Sequence, residues 1–370
     1  MIVSRSLFLT MIAYFLIVVF FAPSSLSIPS SAVTVAFVMS AFFLEGKHFR
    51  IPLKRALLVI ICMCYFLFSY FYTLSPNYGM MKLTLLLINI ACAFLISGFT
   101  IQHNSKMFFL IFASFWILIV LFALDNFETV LDTSRFERFG ASSYNPIFLA
   151  TYSGFVVLIT FGFLLASKNK FHIDTFFPMI APIIVILLAS MVAISTGSKG
   201  PILALLCSMI YLTFSRKNLV NMFAIGVLVF FAAKSLVLVF DANFINQRFL
   251  NVESVLSRIY LVNAVDYLRS GVSLVFGCGA GCYSYLLAGM DYRMYPHFYP
   301  AELFLEFGIL GVMIFMFWAI GLWKDLIDSK MFRSYVLFFL ISALFTGDIL
   351  AHSYLIVLFE IFRVLSRRTV

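Results

Sequence analysis

The stretch YPHFYPAELFLEFGILGV, Tyr295 to Val312, decides how the rest of the chain is read. Pro296 and Pro300 bar a regular helix through His297, because proline lacks the N–H donor and its ring clashes with the preceding turn. From Ala301 onward the run is apolar and continues through MIFMFWAIGLW to Trp323. As a helix, an apolar run of that length crosses the roughly 30 Å hydrocarbon core of a bilayer. Glu302 and Glu306 stand at its start. An imidazole on a shaped turn, followed by acids entering a lipid-spanning helix, calls for a chemical reason.

The whole chain has the same character. Of 370 residues, 63% are hydrophobic and 11% charged, and the mean hydropathy is +1.07. Soluble domains are about half apolar and about a quarter charged, so lipid is the solvent for most of this surface. The apolar runs are continuous rather than alternating, which selects helices over a closed barrel. The fold class expected is all-α: one polytopic membrane domain over residues 1–370. About twelve spans are expected, near 6–22, 29–44, 56–73, 82–101, 107–124, 146–166, 176–195, 200–214, 219–240, 301–322, 334–347 and 350–364. The last two are short and also fit one long bent helix. The N-terminal run is read as a first span rather than a cleaved signal, because it is long and no small-x-small site follows.

Placing both termini in the cytoplasm puts eight cations outside: Lys82, Arg135, Arg138, Lys199, Arg248, Arg258, Arg269 and Arg293. Sixteen fall inside and Lys234 lies within a span, as the positive-inside bias requires. The net charge of +9 therefore needs no nucleic-acid partner, since most of it faces the anionic inner leaflet. Two outer loops are long, 125–145 and 241–300, and both carry arginines. Cations gathered on one side of the membrane point to an anionic substrate there.

In the second loop, residues 253–270 read as a helix at the bilayer interface. Arg258 and Arg269 are eleven residues apart, close to three turns, and share a face. They are either solvated arginines or a pair of forks for phosphate oxygens. In the first loop, Arg135 and Arg138 either point together or pair with Asp132 and Glu137. The turn STGSKGP, Ser195 to Pro201, offers backbone N–H groups and Lys199 to an anion, or is a plain hairpin turn. GCGAGCY, Gly277 to Tyr283, lacks the full dinucleotide fingerprint. Its Cys278 and Cys282 either pair in an oxidising compartment or stay free. Cys62, Cys64, Cys92 and Cys207 read as small apolar packers. His297 is either an interfacial histidine hydrogen-bonded to structure or a general base or acid, imidazole being the natural one near neutral pH. Acids at a helix start complement the helix dipole, the plain reading of both Glu302 and Glu306; Glu306 is deeper, and an ionisable group within a span is a functional candidate. Asp348 and His352 rank behind these.

Taken in order, these segments resemble the bacterial O-antigen polymerase and ligase superfamily. The carrying pattern is His297, then Glu306, Gly308 and Gly311 at nine, eleven and fourteen residues beyond it. The arginine helix leading into Gly277–Gly281, the turn STGSKG and the start NPIFLA (Asn145 to Ala150) are similar to the family's other segments. Two departures are Phe298, where the family often has asparagine, and Lys199, where it usually has arginine. The resemblance implies glycosyl transfer at the periplasmic face of the inner membrane, without cofactor or metal. The donor implied is a glycan on undecaprenyl diphosphate, and the acceptor a second glycan. Arg258 and Arg269 would hold the diphosphate, with Lys199, Arg135 and Arg138 in support. His297 would take the acceptor's proton, oriented by Glu306. Polymerase is preferred to ligase, with a chain-length regulator and a flippase as candidate partners. A transporter of the same lipid-linked sugar is the rival from another class, and would show broken or charged helices near the midplane.

Overall fold

The computed structural model describes residues 53–98, 146–167, 177–214, 271–296, 298–326, 329–346, 349 and 353–366. Among them, all regular structure is helical: α1 (Leu53–Phe68) running into a 3-10 turn (Ser69–Tyr72), α2 (Pro76–Ser97), α3 (Pro146–Ser167), α4 (Phe177–Ser195), α5 (Lys199–Thr213), α6 (Gly271–Phe276), α7 (Tyr283–Ala288), α8 (Tyr299–Asp325), α9 (Lys330–Thr346) and α10 (Tyr354–Ser366). Three stretches are long and apolar enough to cross a membrane: Arg55–Tyr72, Pro76–Ser97 and Tyr299–Asp325.

Each expected span that falls on described residues meets a helix there. Those at 6–22, 29–44, 107–124 and 219–240 lie outside the described residues, as does the expected interfacial helix at 253–270. One boundary matters for chemistry. The second described span begins at Pro76, not near residue 82. Proline is favoured at a first helical position, where its missing N–H costs nothing and its φ is already helical. Lys82 is thereby moved from an outer segment into the second turn of α2. The last two spans are an antiparallel pair rather than one bent helix. Near its start α9 packs Phe332 on Phe362 near the end of α10, ring centroids 5.6 Å apart.

Helix ends sort into two groups. At one end Lys330 Nζ donates to the Phe214 carbonyl (2.6 Å) and Arg333 Nε to the Trp323 carbonyl (3.2 Å). Arg363 pairs there with Asp325. The other end holds the 3-10 turn, the starts of α2 and α8, the 277–284 loop and Ile349. Among the described residues the two larger apolar cores lie between. The larger joins α3, α9 and α10 around Phe155, whose ring lies 4.7 Å from Phe339 and 5.4 Å from Tyr335. The smaller contains Phe66, Leu83, Tyr299, Leu303, Phe307 and Ile349. Leu57, Ile60 and Ile61 of α1, and Met313, Met316 and Phe317 of α8, face outward. Lipid tails are as apolar as these side chains, so a bilayer removes the cost that water would impose.

Candidate functional site: a broken helix and a buried ionic trio

Helix α8 is interrupted at Gly308, with φ 62° and ψ −165°. That region is essentially restricted to glycine. The interruption takes carbonyls out of the helical ladder, and an unpaired carbonyl at membrane depth costs several kcal/mol. All three carbonyls before it find other donors. The Cys278 N–H donates to Leu305 O (2.8 Å) and the Gly279 N–H to Glu306 O (3.0 Å). The Tyr65 hydroxyl donates to Phe307 O. The donor loop fits because Gly277 has φ 77° and no Cβ; one there would overlap the Glu306 carbonyl. The structure joins Cys278 to Cys282 in a disulfide that closes the loop.

The same loop is tied to the start of α2. The Thr73 hydroxyl donates to Ala280 O (2.6 Å). Asp291 takes the N–H groups of Asn77 (2.8 Å) and Tyr78 (3.0 Å) on its two carboxylate oxygens. These are donors that α2 cannot satisfy within itself.

Between α2 and α8 lies a trio of charges. Lys82 Nζ is 2.6 Å from Glu306 Oε1 and also bonds Glu302 Oε1. Glu302 Oε2 accepts the backbone N–H of Ile349 at 2.9 Å. All three side chains are 0% exposed. The two carboxylates lie four residues apart and so on one face of α8, which α2 meets with its one lysine. The ammonium also lies 5.5 Å from the Tyr78 ring centroid. The Tyr283 hydroxyl, on the loop, is pushed up to about 12, first by burial and then by the charge of Glu302. It stays a neutral phenol beside the carboxylate.

Of the residues singled out by sequence, Glu306 and Lys199 are described. Glu306 Oε1 is taken by Lys82. Lys199 is the first residue of α5 and half-buried. The turn before it is buried rather than offered to solvent. The Gly197 N–H is used by Ile194 O at 2.8 Å, and the Ser198 N–H by Thr196 Oγ1 at 3.2 Å. His297, Arg135, Arg138, Arg258 and Arg269 lie outside the described residues, as do Lys234, Asp348 and His352. Beside His297, Pro296 is buried and Phe298 is extended (φ −141°), and the Phe298 carbonyl accepts the Glu302 N–H at 3.1 Å.

Lys82 and Glu302 were missed as site residues. Lys82 was counted as a loop cation, and Glu302 as a partner of the helix dipole. The signal was present: MMKLTLLL, Met80 to Leu87, is apolar around its lysine, and two acids on one face of an apolar helix need a cation. These features define a class: an all-helical protein with helices able to cross a membrane and a fully buried ionic trio beside a broken helix. No family model, no curated protein and no solved structure matches the chain.

Proposed function

We propose that the chain is a multi-pass glycosyltransferase of the bacterial inner membrane. It polymerises oligosaccharide repeats carried on undecaprenyl diphosphate, for O-antigen or capsule. About twelve spans, cytoplasmic termini and two long periplasmic loops belong to this reading. The observation that supports it most is the joint between two distant segments of the family-like pattern. The glycine loop Gly277–Gly281 donates to the carbonyls of Leu305 and Glu306 within the His297-to-Gly311 segment. Segments that resemble one family's motifs only in order and spacing therefore meet in space. The helices that carry the other two motifs, α3 and α5, pack together as well: a Cβ on Gly154, two turns into α3, would lie 3.9 Å from the Pro201 carbonyl.

In this mechanism Arg258 and Arg269 clamp the diphosphate, supported by Lys199, Arg135 and Arg138. Cationic groups set in place stabilise the charge that develops as the bond to the anomeric carbon breaks. His297 removes the proton from the attacking hydroxyl, and Glu306 orients the imidazole. The sugar passes to the acceptor, and the donor's carrier leaves as undecaprenyl diphosphate.

One observation favours a second reading, a transporter of the same lipid-linked sugar. Broken helices and buried charges at membrane depth are features of such carriers. Gly308 is the tenth residue of a 27-residue helix, so the break lies about 14 Å along a length of about 40 Å, about 6 Å short of its midpoint; the joint between the family-like segments keeps the polymerase as the first reading. The deciding experiment is a polysaccharide gel with carrier analysis on a strain lacking the chain. Core lipid capped by a single repeat supports polymerase. Long chains stranded on the carrier mean ligase, and single lipid-linked repeats held on the cytoplasmic face mean transporter.

A further inference from the structure

Resting on that reading, we propose that Lys82 is a positioning residue that sets the carboxylate of Glu306 for transfer. Glu306 is held at both its main chain and its side chain. Its carbonyl is fixed by the Gly279 N–H at 3.0 Å and its Oε1 by Lys82 Nζ at 2.6 Å. Lys82 is itself held by a second carboxylate, Glu302, which is anchored to the Ile349 N–H at 2.9 Å. The chain of contacts runs from the connection between α9 and α10, through Glu302 and Lys82, to Glu306. It leaves the Glu306 side chain little rotamer freedom.

Stability alone does not call for this arrangement. Replacing buried ion pairs by apolar residues of similar volume is often neutral or stabilising, and the chain neighbours of the trio, Leu83, Leu303 and Phe307, belong to one apolar core. Lys82 does what an apolar residue cannot. It lets Glu306 stay at this depth as a charged group in one orientation, nine residues along the chain from His297. Two residues of the trio then differ in role: Lys82 touches Glu306, whereas Glu302 only anchors Lys82.

The test uses the full-length chain in lipid and the lipid-linked repeat extracted from a strain lacking the chain. Lys82→Gln is expected to lower kcat by about tenfold or more with KM within about threefold. Glu302→Gln keeps the Lys82–Glu306 pair but loosens its anchor, and is expected to lower kcat by clearly less than Lys82→Gln does. Near-normal kcat in Lys82→Gln, or equal losses in both variants per folded molecule, overturns the proposal. If Lys82→Gln does not accumulate, Lys82→Gln combined with Glu302→Gln carries one buried charge fewer. The same kcat loss is expected there, and near-normal kcat overturns the proposal. A wild-type chain that elongates nothing removes the polymerase reading and this proposal with it. An active wild type with an unaffected Lys82 variant removes this proposal alone.

Discussion

Lys82 Nζ lies 2.6 Å from Glu306 Oε1, joining two helices whose contact residues are 224 positions apart in the chain. Neither helix makes chemical sense alone at this point. Helix α8 carries two acids into an apolar environment, and α2 carries one unmatched cation. Docked together, they replace the water that each charge gave up.

The first prediction concerns that docking. Lys82→Met leaves two carboxylates buried without their cation. Breaking a buried pair in this way costs roughly 3–5 kcal/mol, enough to lower the amount of folded chain in the membrane severalfold. Adding Glu302→Leu and Glu306→Leu removes the stranded charges, and most of the thermal stability in detergent is expected to return. Thermal midpoints of the single and triple variants check this. A single variant as stable as wild type would show that the trio does not hold the two helices.

The second prediction separates strain from crowding. Gly308→Ala places a Cβ against the Val275 carbonyl at a φ of 62°. Strain in such a region costs about 1–3 kcal/mol, and the overlap adds to it. Gly289 also has a positive φ, 65°, but nothing lies within 4 Å of its Cβ position. Gly289→Ala is expected to cost only about 1–2 kcal/mol, the backbone term alone. Thermal midpoints of the two variants should rank in that order, and equal losses would contradict the interlock between the loop and α8.

Span positions were legible because apolar length is a strong local signal, and α3, α4 and α5 begin within one residue of expectation. The start of α2 was not, because hydropathy weighs Lys82 as a loop residue while Pro76 had already begun the helix. Glu306 was legible as an acid inside a span. Its partner was not, since pairing across 224 residues leaves no local trace. The break at Gly308 was equally hidden: GILG reads as ordinary helix, and it is the distant donors at Cys278, Gly279 and Tyr65 that make an interruption tolerable there.

The third prediction concerns the start of α2. Asp291 accepts the N–H groups of Asn77 and Tyr78 from across the loop, the role a capping side chain usually plays from within the helix. Asp291→Ala is expected to cost about 1 kcal/mol, and Asp291→Asn less, since its amide oxygen still accepts. Hydrogen exchange in peptides covering residues 73–80 should quicken in the alanine variant. Unchanged exchange would mean that water replaces the carboxylate without loss.

The fourth prediction fixes which side of the membrane the site faces. Cys278 and Cys282 are bonded, and Cys62, Cys64, Cys92 and Cys207 are free. Under denaturing, non-reducing conditions the chain should therefore take up a thiol reagent at four cysteines, and at all six after reduction. Disulfides persist in oxidising compartments and are rare in the cytosol. Four labels would accord with the loop, the trio and the start of α8 facing outward, as transfer from a lipid-linked donor at the periplasmic face requires. Six labels without reductant would show the two thiols free and remove this support for an outward-facing site. The bond should also matter to the fold. A loop this short contributes about 2 kcal/mol in the chain-entropy account, and it steadies the two N–H donors on which the break in α8 depends. Cys278→Ser with Cys282→Ser is accordingly expected to lower the thermal midpoint and leave the chain assembled.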